Sequence, residues 1–183
     1  MKRFPKSLQQ KIEQRKQGNS FRVLPEPNNL IDFASNDYLG FSKSEAIFQQ
    51  THQYLLHDRI IQNGATGSRL LSGNHALYKE LEEHIARFHD AEMALVFNSG
   101  YDANLGFFSS VPQRNDFILY DEYSHASIRD GIRLSNARSF KFEHNNLDEL
   151  EALILKYKSE NSAIYIVTES VFSMDGDSPD LER

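Results

Sequence analysis

From about residue 75 onward the sequence alternates between short apolar runs and helix-spaced apolar stripes, and that alternation leaves few folds open. Leu77, Leu81, Ile85 and Phe88 repeat at the spacing of one helical face. Residues 93–97 then read as a short buried strand and 103–109 as a second helix. The rhythm continues with a strand at 117–120, a helix at 126–134, a strand at 139–142, a helix at 147–158 and a strand at 163–168. Runs such as Leu95-Val96-Phe97 and Ile164-Tyr165-Ile166-Val167 are apolar on successive residues, as strands covered on both faces require. Asn146, followed three residues later by Glu149, predicts an N-cap with a reciprocal carboxylate. The expected fold is α/β, a three-layer sandwich with a mostly parallel sheet between helices.

The front of the chain reads differently. Phe4, Leu8 and Ile12 share a helical face before the polar stretch Arg15-Lys16-Gln17-Gly18-Asn19-Ser20, the pattern of an amphipathic arm followed by a connector. Residues 1–40 are therefore expected to be a helical arm and connector, and 41–183 the α/β body. A chain of 183 residues with 39% hydrophobic and 25% charged content can bury a sizeable core. Its net charge of -6, with both signs scattered, argues against a nucleic acid or an acidic membrane surface as partner. The absence of cysteine excludes disulfides, thiolate metal sites and a cysteine nucleophile. No HExxH pattern occurs, and His84 and His89 are poorly spaced for one helix face, so no metal is expected. No stretch approaches the roughly 20 apolar residues of a membrane span, and residues 1–30 lack a signal-peptide core, which makes the cytoplasm the default location.

Five places have the residue types and position to carry chemistry. Ser99-Gly100-Tyr101 lies where a strand reading gives way to a helix, so free amides and the positive helix end converge there and suit a phosphate. An ordinary strand-to-helix turn would look the same. Ser124 is a candidate N-cap for the next helix, and His125 beside it is either a capping-region histidine or a group presented from the strand-end rim. Glu169 and Ser173 follow the apolar strand at 163–168, where ligands of open α/β sheets gather; alternatively Ser173 and Asp175 only close a turn. Asn36-Asp37-Tyr38-Leu39-Gly40 fits an Asx-type turn ended by glycine. The glycine-spaced, hydroxyl-rich segments Gly64-Ala65-Thr66-Gly67-Ser68-Arg69 and Ser72-Gly73-Asn74-His75 are not helix interiors, and match neither a Walker loop nor a dinucleotide fingerprint.

Together, Ser35-Asn36-Asp37-Tyr38-Leu39-Gly40, Gly67-Ser68-Arg69, Ser72-Gly73-Asn74-His75, Ser99-Gly100-Tyr101, Ser124-His125-Ala126-Ser127 and the segment from Glu169 to Ser173 resemble the pyridoxal-phosphate-dependent α-oxoamine synthases, in register from Arg22 onward. The resemblance implies the large domain of a fold type I transferase with pyridoxal 5'-phosphate as cofactor. Residues 41–183 would be the first half of that domain. It further implies that Gly100 and Tyr101 donate amides to the cofactor phosphate, that His125 stacks on the pyridine ring and orients substrate, that Ser173 meets the phenolic oxygen region and that Glu169 supports the site. Arg22, Asn36 and Ser72 would border the substrate. Ser170 stands where the family often has glycine. The family reaction is a decarboxylative condensation of an amino acid with an acyl thioester, here best matched by L-alanine and a pimeloyl thioester, in a homodimer with an interfacial site. The lysine that carries the cofactor aldehyde, and the aspartate that faces its ring nitrogen, are expected beyond Arg183, so the chain is read as the truncated, inactive front of a longer enzyme. Another member of the family, or a non-catalytic chain binding a phosphate ligand or a partner, stays open.

Overall fold

The structure is a computed structural model that describes residues 4–24, 26 and 30–182. The chain divides into two compact units, Met1–Asn63 and Gly64–Arg183. In the first, α1 (Lys6–Gln17) is a helix within residues 1–40. It begins after Pro5 and closes with Arg15 and Lys16 in its last turn, where cations suit the negative helix end. Positions 25 and 27–29 of the expected connector lie outside the described residues. A second helix, α2 (Glu45–His57), was not anticipated; Ser44 caps it by accepting the Ile47 N–H at 3.3 Å.

The second unit contains α3 (Ala76–Phe88), α4 (Gly100–Ser110), β1 (Phe117–Asp121), α5 (Ala126–Leu134), β2 (Arg138–Phe142), α6 (Leu147–Tyr157) and β3 (Ile164–Val167). The three strands form a wholly parallel sheet in the order β2-β1-β3. Alternation along the strands divides the side chains between two helix layers. On one face Ile118 and Val167 pack with Phe108, Ile128 and Ile132 of α4 and α5. On the other, Phe117 and Phe140 stack on Tyr157 of α6 at 4.8 and 4.3 Å. This is the expected three-layer α/β arrangement.

Two expectations need correction. Residues 93–97 are not a strand, and they are not buried: Met93 is 88% and Leu95 64% exposed. The Val96 N–H, which a strand partner would use, instead donates to the Glu82 carboxylate at 2.9 Å. The cap on α6 is also only half as read. Asn146 does accept the Glu149 N–H at 3.0 Å, but the Glu149 carboxylate reaches back to the N–H of Glu143 at 2.7 Å, because the N–H of Asn146 is held by the Glu143 carbonyl.

The tightest helix contact is between α4 and α5. A methyl group at Gly131 would stand 2.8 Å from the Asn104 carbonyl oxygen and 3.0 Å from Phe108 Cβ, so only glycine permits the approach. Gly131→Ala is expected to destabilise the chain by about 1–3 kcal/mol through overpacking, measured as a lower urea midpoint without a change in slope.

Candidate active site

The residues singled out at 99–101 and 124–127 occupy the first turns of α4 and α5. Ser99 caps α4, accepting the Asp102 N–H at 3.0 Å and donating its hydroxyl proton to the Asp102 carboxylate at 2.9 Å. The amides of Gly100 and Tyr101 thus lie in the first turn, without acceptors inside the helix. Beyond its chain neighbours and the α4 backbone, nothing among the described residues lies within 4 Å of where a side chain at Gly100 would begin, so that side of the turn is open. The Tyr101 hydroxyl donates to the Asp130 carboxylate of α5. That bond, more than any other influence, holds the phenol above its ordinary pKa.

His125, not Ser124, is the N-cap of α5: its Nδ1 accepts the Ser127 N–H at 3.2 Å. A backbone N–H only donates, so Nδ1 is an acceptor and a neutral ring carries its proton on Nε2. The Ser127 hydroxyl lies 2.8 Å from the same Nδ1 and accepts from Asn104 Nδ2 at 2.9 Å, which ties the ring to α4. The local capping bond expected of a structural histidine is therefore present, while the residue as a whole remains exposed. Glu169 comes from the end of β3, and its Oε1 accepts the His125 N–H at 2.5 Å. Tyr101, His125 and Glu169 are thus linked, directly or through α4 and α5, at the carboxyl ends of β1 and β3, where such sheets bind ligands.

Ser173 sits in the turn after β3 and is exposed. It lines a cleft of about 290 Å³ with Glu122, Tyr123, Arg129, Phe172 and Asp175. Tyr123 and Arg129 flank His125 in the chain, so this cleft belongs to the same rim. Ser124 Oγ, buried at the start of α5, has no partner among the described residues.

Ser72 is exposed in the loop before α3, where the Thr66 hydroxyl donates to its carbonyl at 2.7 Å. A methyl group at Gly73 would fall 1.8 Å from the Gly67 carbonyl oxygen, so this hydroxyl-rich loop folds upon itself only with glycine there. Arg69 fastens it to α3 with two bonds to the Glu82 carboxylate, at 2.7 and 2.9 Å, and its guanidinium lies 4.2 Å from the centre of the Tyr78 ring. Those Arg69 bonds, together with the Val96 N–H, pull Glu82 down to a pKa of about 2. Glu82 therefore pins both the Gly-Ser-Arg loop and the segment that leads into α4. Arg22 and Asn36 are exposed residues of the first unit. The turn at 36–40 does contain a side-chain cap, but Asp37 supplies it, accepting from the Ser42 hydroxyl at 2.5 Å.

A group not foreseen from the sequence lies beside the rim. Asp121, wholly buried at the end of β1, accepts the N–H groups of Tyr123 at 2.8 Å and Asn145 at 2.9 Å. It also meets His144 Nδ1 at 2.9 Å, while His144 Nε2 meets Asp177 at 2.8 Å. A charged residue ending an apolar strand was the available signal. Among the described residues, no cluster of His, Asp and Glu has the form of a metal site.

The chain belongs to the aminotransferase class I and II family, whose profile matches residues 28–183. It is 45% identical over 163 residues to an 8-amino-7-oxononanoate synthase of Emericella nidulans, covering 82% of this chain and 39% of that protein. Among solved structures it resembles Sphingomonas wittichii serine palmitoyltransferase at 34% identity and TM-score 0.70, over 78% of this chain and 35% of the other. It also resembles 8-amino-7-oxononanoate synthase from Francisella tularensis, at 31% identity and TM-score 0.64, over 84% and 41%. The expected kinship with the α-oxoamine synthases and their fold type I architecture holds. The chain spans 38–50% of the length of the curated relatives it matches. Pyridoxal phosphate is the cofactor of this family, and the open first turn of α4 beside an exposed, backbone-anchored His125 fits a phosphate joined to an aromatic ring.

Glu82→Gln is expected to loosen residues 66–74 and raise the rate of tryptic cleavage after Arg69 by about tenfold. In the unaltered chain the stabilisation from Glu82 is fully present above its ordinary pKa of 4.5 and is lost as the pH falls toward about 2. Protection of the Val96 amide, followed by hydrogen exchange, should trace that loss.

Proposed function

We propose that this chain is the cofactor-binding front of an α-oxoamine synthase that joins L-alanine to a pimeloyl thioester, carried on coenzyme A or an acyl carrier protein, with loss of carbon dioxide to give 8-amino-7-oxononanoate for biotin synthesis. The observation that carries the reading is His125, exposed at the end of β1 with its Nδ1 capping α5 and its own N–H held by Glu169. A ring fixed in that way at a strand-end rim is suited to lie against a flat heteroaromatic ligand.

When bound, pyridoxal phosphate supplies the electron sink that stabilises negative charge at the amino acid's α carbon. Around it, the first-turn amides of Gly100 and Tyr101 bind the phosphate and His125 packs against the ring, its Nε2–H free to donate to the substrate carboxyl. Ser173 donates to the ring's phenolic oxygen, and Glu169 keeps the His125 loop in place. Arg22, Asn36 and Ser72 contact substrate, with sites completed between two copies in a cytoplasmic homodimer. Residues 41–183 form the first part of the large domain, behind an arm and connector at 1–40. No lysine in these 183 residues stands in the family's lysine motif, so on their own they are catalytically silent. The 34% identity to a serine palmitoyltransferase favours one second reading, the same reaction class with a different amino acid and acyl chain.

The test uses the intact protein from its native source, assayed for carbon dioxide release from L-alanine with pimeloyl-coenzyme A and from L-serine with palmitoyl-coenzyme A. The first pair is expected to turn over, with at least about a hundredfold loss in His125→Ala. Turnover of the second pair alone would replace the substrate assignment. Full activity in His125→Ala would sink the site.

A further inference from the structure

We propose that His144 is a positioning residue that bridges Asp121 and Asp177 and so holds the turn after β3 where Glu169 can receive the His125 N–H. The consequence for the reaction rests on the reading of His125 and Glu169 given above; the positioning itself does not.

The geometry is that of a clasp. The His144 ring is sandwiched at 4.5 Å against Tyr123 and meets the edge of the buried Phe172 at 4.5 Å. Nδ1 reaches Asp121 at the end of β1, and Nε2 reaches Asp177 in the turn. The turn closes on itself through Phe172 N–H to the Asp177 carbonyl at 2.9 Å and Gly176 N–H to the Phe172 carbonyl at 2.7 Å. Asn145 adds a bond from Nδ2 to the same Asp177 oxygen at 2.8 Å. Phe172 lies three residues after Glu169, so fixing this turn fixes the departure of the chain from β3.

A neutral imidazole donates from one nitrogen only, whereas both nitrogens here face carboxylates. Other charges near the ring are Glu122, whose carboxylate takes the His144 N–H at 3.4 Å and pairs with Lys141, and the neighbouring Glu143. The hydrogen bond to Asp121, aided by Asp177, raises the His144 pKa above its ordinary 6.5, against an opposing effect of desolvation. A raised pKa places the stabilisation below about 6.5 and removes it as the pH climbs through the folded-state value. The clasp is therefore closed in mild acid and released in base.

Hydrogen exchange on the 183-residue chain from about pH 6 to about pH 9 tests this. After correction for intrinsic rates, protection of the His125 and Gly176 amides is expected to fall about tenfold as His144 deprotonates, with Leu119 in β1 unaffected. Asp177→Asn, a change at a half-exposed position, removes one anion and should move the midpoint to lower pH. Protection of His125 that is flat with pH, or a midpoint unmoved in Asp177→Asn, overturns the proposal. His144→Gln has no titrating ring and should leave His125 protection flat over this range; should it fail to fold, the Asp177→Asn profile still decides the matter. A parallel absorbance titration with pyridoxal phosphate separates the two readings: a clasp that titrates as stated in a chain that takes up no cofactor upholds the positioning and counts against the functional reading alone.

Discussion

The carboxylate of Asp121 is the charge around which the second unit is arranged. It has no solvent contact at the end of the central strand, and a bare charge in that position would be prohibitively costly. Three donors from two other parts of the chain, the Tyr123 and Asn145 N–H groups and His144, meet that requirement. Satisfying one buried group thus forces the loop toward α5 and the turn between β2 and α6 to converge on the same strand end. Asn145 adopts φ 54° there, a left-handed backbone that asparagine tolerates better than most residues other than glycine.

That convergence explains where the candidate chemistry lies. In a parallel sheet all the strands end on one side, and ligands gather in the loops that follow them there. α4 and α5 start on that rim, so their unpaired first amides and the His125 ring face the same region. The close approach of the two helices at Gly131 then brings Asn104 to Ser127 and Tyr101 to Asp130, so the two helix starts are braced against each other. Several weak local preferences, a serine cap, a histidine cap and a glycine contact, combine to produce a rigid rim.

Much of this is legible in sequence. β1, β3, α5 and α6 were recognisable because apolar runs and caps report local physics, and α5 matches its expected span. Residues 93–97 misled for a physical reason: an apolar run has strand propensity, but a strand also needs a hydrogen-bonding neighbour, and Glu82 had taken the Val96 amide. α2 escaped because the polar run Gln49 to Gln53 separates Ile47 and Phe48 from Tyr54, Leu55 and Leu56 and breaks up any stripe. Among the singled-out residues, His125 and Glu169 meet, a contact across 44 positions that no local pattern encodes. The Asp121, His144 and Asp177 cluster was illegible for the same reason, since its members become neighbours only when the strands are ordered β2-β1-β3.

That strand order also sets a timetable. β1 is central, yet both of its neighbours are made after it: it pairs with β2 at residues 138–142 and with β3 only at 164–167. Roughly doubling the span of chain to be closed adds only about 0.6 kcal/mol, so the second closure is scarcely harder than the first. The difference lies in waiting. A ribosome adds about 5–20 residues per second, so one edge of β1 stays bare for a time on the order of a second or more after β2 has docked. During that interval the nascent chain presents Ile118 and Leu119 on a strand with one edge unpaired, a state exposed to mispairing and to capture by a chaperone.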